Sequence, residues 1–234
     1  MQLAPGVWRI PTFGRNAINS FAFVDADGSV TLVDCGTAKA PPKIVAGLEA
    51  IGKHPSDVTR IVLTHVHPDH AGGAADMAIR TGASVTVHEG DAESARSGRV
   101  LTPADPAFLS GRIFTRLFAG GKFRAFQTGA PIADGDVLDV GGGVRVVHTP
   151  GHSPGHVSLL HENTQTLITG DAIFNFTRLG MRWPPKFLCA NFRMTQQTAH
   201  TLGELEYDVV AFTHGPEITI RARERVRGFL REAH

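Results

Sequence analysis

Short apolar runs broken by Gly, Asn, Asp and Pro fill the first third of the chain. Residues 6–11, 19–24 and 30–34 are rich in β-branched and aromatic side chains and are separated by turn-forming clusters such as Asp25-Ala26-Asp27-Gly28, which predicts three strands. Pro41 and Pro42 stand where a helix can begin, and Ile44, Val45, Leu48 and Ile51 recur on one helical face, so a helix is predicted over 41–51. The pattern then predicts a strand over 60–64, a helix over 71–81 and a strand over 84–88. Between about 96 and 132 no clean strand period is present, and aromatic and basic residues are mixed. Four short strands follow at 137–140, 144–149, 156–160 and 166–169, then a Pro-rich loop at 182–185. A helix over 195–205, a strand over 207–213 and a helix over 218–230 complete the chain. Strands lead each half and helices are interspersed, which predicts two sheets with helices outside rather than a strict alternation.

Composition narrows the class. With 234 residues, 42% of them hydrophobic and 19% charged, the chain can bury a full core as one domain. Lys and Arg number 23 against 22 Asp and Glu, a net charge of +1, so nothing electrostatic favours nucleic acid or a membrane surface as partner. Two cysteines, Cys35 and Cys189, are too few for a disulfide framework. The opening MQLAPGVWRIP has no basic stretch followed by an apolar run, so no signal peptide is expected and a cytoplasmic location is the default. Twelve histidines are many for this length, and their placement matters more than their number.

The densest chemistry is Thr64-His65-Val66-His67-Pro68-Asp69-His70-Ala71-Gly72-Gly73. Three imidazoles and a carboxylate within six residues are a concentrated set of metal-ligand groups. Pro68 disfavours helix at His67, so His65 and His67 fall on a loop after the 60–64 strand. A helix beginning near His70 would turn Asp69 and His70 another way, letting one loop serve two adjacent ions. His152, Asp171 and His214 each sit on a Gly-containing turn directly after an apolar strand. Taken singly, each suits an ordinary turn or cap; four such placements together point to one shared rim.

With those residues in view, the chain resembles the metallo-β-lactamase superfamily, whose signature is H-x-H-x-D-H, a downstream Gly-His, a Gly-Asp and a late His. The resemblance spans residues 6 to about 218 and fills all seven ligand positions. It implies an α/β fold, an αββα sandwich of two mixed β-sheets with helices on the outer faces. It implies one metal at His65, His67 and His152, a second at Asp69, His70 and His214, and Asp171 bridging them. The expected cofactors are two divalent ions, zinc first, with iron or manganese as alternatives. The Asp34-Cys35-Gly36 turn fits the family's buttress of the metal loop and fits an ordinary capping Asp equally well. His156 is read as a buried structural histidine, with a role beside the metals or toward substrate as the alternative.

The implied activity is a binuclear metal-dependent hydrolase in which a bridging hydroxide attacks an ester, lactone or thioester carbonyl, with Asp69 as the catalytic residue that orients the nucleophile and carries its proton. β-Lactamase or phosphodiesterase action at the same site, or iron-dependent sulfur/oxygen redox chemistry, are the alternatives. The resemblance also separates subfamilies. Asp171 argues against a true β-lactamase, Phe174 and Phe176 stand where lactonases place a Tyr, and the short stretch after His214 leaves no glutathione-binding helical domain. Residues 96–132 are expected as a lid or insertion recognising a partly apolar, anionic small molecule. The same segment also reads as an amphipathic helix with Ile113, Leu117 and Phe118 packed inward, or as a homodimer contact.

Overall fold

A computed structural model describes residues 1–102, 104–118 and 121–232. The first sheet starts as a meander of β1 (Gln2–Ala4), β2 (Val7–Phe13), β3 (Ile18–Val24) and β4 (Val30–Val33), each antiparallel to the last. It then turns parallel: α1 (Pro41–Glu49) crosses to β5 (Val58–Val62), and α2 (Ala74–Thr81) crosses to β6 (Ser84–Thr86). Next come α3 (Glu89–Ser97) and α4 (Leu109–Phe118). The second sheet takes β7 (Val137–Leu138), β8 (Val144–His148), β9 (Val157–His161) and β10 (Thr166–Ile168). After a small hairpin of β11 (Phe174–Phe176) and β12 (Gly180–Arg182) and the helix α5 (Phe192–Glu204), strand β13 (Val209–Ala211) pairs parallel with β10, and α6 (Ala222–Glu232) follows.

Period-two alternation decides which face each strand gives to which layer. In β3, Phe21 and Phe23 point between the sheets, where they meet Val146, Val157, Leu159 and Ile168 of the second sheet. Ala22 points the other way, into a layer where Leu32 and Ile61 pack under Ile44, Leu48 and Met77 of α1 and α2. On the far side, Leu167, Val210 and Phe212 are covered by Ala199, Leu202, Val226 and Leu230 of α5 and α6. Both faces of both sheets are therefore apolar, and the order of layers is helix, sheet, sheet, helix. This is the expected αββα sandwich of two mixed sheets.

Several expected elements shift. Helix α2 begins at Ala74 rather than near residue 70, because 68–73 are turns held by backbone contacts at Gly72 and Gly73. The last helix starts at Ala222, since Ile218 bridges to Val210 and extends the sheet instead. Helix α3 and the β11–β12 hairpin carry no apolar period strong enough to read from sequence: α3 is EGDAESARS, polar on most faces. Within 96–132 a helix does form, yet Ile113 is exposed instead of packed inward. The side chains of Phe114, Arg116, Leu117 and Phe118, and His234, lie outside the described residues. Among the described residues no helix is long and apolar enough to cross a membrane.

Candidate metal centre

Strands β4 and β5 are parallel, β10 and β13 are parallel, and β8 runs with β10 because both flank the antiparallel β9. Their C-terminal ends open on one rim, joined across the sheets by the Val157 N–H, which donates to the Thr64 carbonyl at 2.8 Å. The loop after β5 carries His65, His67, Asp69 and His70; those after β8, β10 and β13 carry His152, Asp171 and His214. The structure brings all seven together. Donor atoms of His65, His67 and His152 lie within 4.8 Å of one another, and so do those of His65, His70 and Asp171, and of Asp69, His70 and His214.

Each loop is shaped by its own sequence. At Gly72 an added Cβ would stand 2.2 Å from the Pro68 carbonyl oxygen, so only glycine lets the 65–70 loop fold back on itself. The His67 carbonyl accepts from the His70 and Ala71 N–H groups, and the Cys35 N–H donates to the His70 carbonyl. Asp34, at φ 59°, accepts from the Thr64 N–H and hydroxyl at 2.8 Å each and from His70 Nδ1 at 2.9 Å, which makes it a buttress of this loop. Gly215, at φ 116°, lets the chain turn after His214, whose Nδ1 donates to the Ala17 carbonyl at 2.7 Å.

These bonds fix which imidazole atoms face the centre. His70 and His214 spend Nδ1 on Asp34 and Ala17, leaving Nε2 inward, where the two atoms are 3.3 Å apart. The Thr64 hydroxyl donates to Asp34 and so accepts from His65 Nδ1; His65 Nε2, fully buried, has no hydrogen-bond partner. His67 Nδ1 and His152 Nε2 face each other at 2.9 Å. An orphaned buried nitrogen beside paired inward-facing imidazole nitrogens is costly without a shared cation, and this donor set fits divalent metal.

Asp171 lies at the middle, 3% exposed at the side chain. Its carboxylate is 3.1 Å from His152 Nε2, 3.3 Å from His70 Nε2, 3.4 Å from His214 Nε2 and 3.9 Å from His65 Nε2, and it accepts from the Thr213 hydroxyl at 2.7 Å. Burial alone would lower His152 and His214, but the Asp171 charge overrides it and raises them to about 10 and about 9. Burial also opposes charge on Asp171, yet His214, His70 and His152 hold it well below the usual carboxylate range. His67 is lowered to about 3 by burial and then by His152. Asp69 is the outermost donor, 37% exposed at the side chain, with Oδ2 3.4 Å from His214 Nε2 and 3.7 Å from His70 Nε2. Burial would raise its carboxyl, but His70 and the bond from His214 leave it lowered.

Two of three further contributors carry no sequence signal. His156, fully buried, accepts the Asp171 N–H on Nε2 at 2.7 Å and has Nδ1 3.0 Å from the Thr149 carbonyl. Accepting on Nε2 requires a neutral ring, and burial lowers His156 to about 3. Asn19 donates to the Phe212 and Gly215 carbonyls, on either side of His214, at 3.0 and 2.9 Å. Cys189 Sγ stands 3.6 Å from His152 Nδ1. Asn19 and Cys189, lone residues in apolar runs, read as core and only the fold places them against the cluster, whereas His156 is buried as expected and also takes the alternative place beside the clustered side chains.

Beside the donors lies a cavity of about 510 Å³ whose lining includes His67, Asp69, His152 and Asp171 together with Val100, Leu101, Phe187 and Leu188. Its lining is mainly apolar, and Arg99 adds a cation. Other residues of the 96–132 segment serve elsewhere: Arg96 pairs with Glu93 on the surface, and Phe123 and Phe126 pack beneath the first sheet. Phe108 meets Phe192 and Lys186.

Known proteins share this arrangement of sequence and fold. A hydroxyacylglutathione hydrolase of Acidiphilium cryptum is 31% identical over 154 residues, covering 64% of this chain and 51% of that protein. An N-acyl homoserine lactonase of a Bacillus species is 33% identical over 135 residues, 56% of this chain and 45% of its own length. The chain thus spans about half the length of these relatives. A metallo-beta-lactamase family protein from Thermus thermophilus superposes with a TM-score of 0.73 at 26% identity, covering 99% of this chain and 80% of that one. The family model of the metallo-beta-lactamase superfamily matches residues 14–214, from the hairpin that holds His214 to His214 itself, and the chain belongs to that superfamily.

Proposed function

We propose that this protein is a zinc-dependent hydrolase of esters, lactones or thioesters whose acyl or alcohol part is largely apolar and carries a negative charge. The observation that carries the reading is the apolar cavity opening directly onto the cluster of five imidazoles and two carboxylates. His65, His67 and His152 would hold one ion and Asp69, His70 and His214 a second, with Asp171 between them. Neither cysteine belongs to a donor group, and imidazole with carboxylate suits zinc while also accepting iron or manganese. Divalent ions bound there supply Lewis acidity, making water nucleophilic near neutral pH and stabilising negative charge on a carbonyl oxygen.

The chain's own groups do the rest. Val100, Leu101, Phe187 and Leu188 exclude water from the apolar part of the substrate, and Arg99 attracts its anionic end. Asp69, partly exposed at the cavity and held ionised, orients the attacking water and accepts its proton on the carboxylate. Asp171 is kept ionised as well, so the one proton these carboxylates could pass to a departing amine is the one that Asp69 takes from water. Alkoxide and thiolate leaving groups need no such proton, which favours esters, lactones and thioesters over amides. The names of the two relatives, a hydroxyacylglutathione hydrolase and a lactonase, support the same bond classes.

The test measures metal content and rates together. About two zinc ions per chain are expected, with loss to chelators, and metal-dependent turnover of lactones or acyl and aryl esters that exceeds turnover of β-lactams and phosphodiesters. Arg99→Ala is expected to raise KM for carboxylate-bearing esters more than for neutral ones. A β-lactam or phosphodiester preferred tenfold over every ester, lactone and thioester would overturn the substrate class. Iron in place of zinc would overturn the metal.

A further inference from the structure

Asp91 lies outside every ligand motif, yet its carboxylate, 3% exposed, ties the two histidine-bearing loops of the first donor group to each other. Oδ2 accepts from the Val66 N–H at 3.0 Å and from the Ser153 hydroxyl at 2.7 Å; Oδ1 accepts from the Gly155 N–H at 2.9 Å. Val66 lies between His65 and His67, and Ser153 follows His152. One side chain thus grips the backbone between two donors on β5's loop and the residue beside the third donor on β8's loop.

The local sequence permits this approach. Asp91 is the third residue of α3, whose start abuts the 153–155 turn. A Cβ on Gly90 would stand 2.9 Å from the Gly155 nitrogen, and a Cβ on Gly155 would stand 2.6 Å from the Asp91 nitrogen. Two facing glycines let backbone meet backbone, so a short side chain such as Asp spans the remaining gap. The first turn of a helix also favours a carboxylate there.

We propose that Asp91 is a positioning residue that sets the spacing of His65 and His67 against His152, and through that spacing sets metal affinity at this donor group. The proposal rests on the reading that these three histidines hold metal. All three partners donate to Asp91. An amide in its place offers one accepting oxygen and turns an N–H toward a donor on the other side, so Asp91→Asn loses at least one loop contact and adds a repulsion. Residues that orient ligands in this way contribute roughly 10- to 100-fold to metal affinity.

The experiment measures zinc affinity of the full-length protein by competition with a chromophoric chelator, alongside urea unfolding of the metal-free form. Asp91→Asn is expected to weaken one of the two zinc sites by about tenfold or more. Ser153→Ala, which removes one of three donors and leaves both backbone contacts, is expected to weaken the same site by less. A folded Asp91→Asn protein with zinc affinity within twofold of the unsubstituted chain overturns the role of Asp91 alone. If that variant does not fold, Ser153→Ala decides: unchanged zinc affinity there overturns the proposal and a selective loss supports it. Absence of zinc binding by the unsubstituted protein would overturn both this role and the metal reading.

Discussion

Stripped of metal, the protein should be most stable near pH 6.5 and lose stability on either side. Burial disfavours charge on His152 and His214, but Asp171 outweighs it and raises them to about 10 and about 9. An unfolded histidine titrates near 6.5. A raised folded value contributes stability that is complete below pH 6.5 and is lost as pH climbs toward 9 and 10. Each such group costs about 1.4 kcal/mol per pH unit across that window. His152 and His214 draw on the same Asp171 charge, so together they give a slope of about 1.4 to 3 kcal/mol per pH unit between pH 7 and 9. On the acid side the sign reverses. His67 and His156 are buried and lowered to about 3, so their contribution is complete above pH 6.5 and is lost as pH falls toward 3. A domain with about 5–15 kcal/mol to lose can be emptied by either arm within a few pH units.

The assay is urea unfolding of chelator-treated protein from pH 4 to 10 at fixed ionic strength. Asp171→Asn is the internal control. Without its charge, His152, His214 and His70 lose the strongest influence that raises them, so the alkaline arm becomes shallower, while Asp69 still acts on His214 and His70 and Cys189 on His152. Metal-free stability that is flat or rising between pH 7 and 9 would refute the assignment of Asp171 as the charge at the middle of the cluster. So would an Asp171→Asn variant that keeps the same alkaline loss.

Two substitutions separate chemistry from architecture. Asp69→Asn should lower kcat by about 10²- to 10⁴-fold while leaving the urea midpoint of the metal-free form little changed, because the side chain is 37% exposed; near-normal turnover of a genuine substrate would refute its role as proton carrier. Gly215→Ala should cost about 3 kcal/mol or more, since its Cβ would sit 1.5 Å from the Asn175 carbonyl oxygen at φ 116°, whereas Gly52→Ala meets nothing within 4 Å and should cost about 1 kcal/mol; equal melting temperatures for the two would refute the close approach behind His214.

What could be read from the sequence depended on whether the signal was local. The loop from His65 to His70 compresses four donors into six residues, so its chemistry is visible without any fold. His152, Asp171 and His214 were legible only as a repeated placement after apolar strands, and that placement works because β8, β10 and β13 run the same way to one rim. Element type followed the apolar period where one existed, as in α1 with Ile44 and Leu48 buried. The helix expected from residue 71 came out three residues later because glycine contacts, not periodicity, govern 68–73. The basic and aromatic 96–132 segment was only partly legible for a related reason. Its residues divide among the surface, the core and the cavity, and only Arg99 of its cations with described side chains lines the cavity.

Asn19 and Asp91 stayed hidden in the sequence, and so did the bond between His156 and Asp171, because each holds something far along the chain. Asn19 braces residues nearly two hundred positions away, His156 meets Asp171 across a strand turn, and Asp91 joins loops at 66 and 153. None belongs to a period or a motif; each is a single polar residue in an ordinary-looking stretch. Yet these contacts hold the loops so that the seven side chains stand close together. Leaving His65 Nε2 buried and unpartnered beside these donors is unfavourable in isolation. It persists because Asp34, Asp91, Asn19 and His156 spend buried hydrogen bonds on the backbone around the donors rather than on the donors' inward faces. The supporting residues therefore belong to the candidate site as much as the seven clustered side chains do.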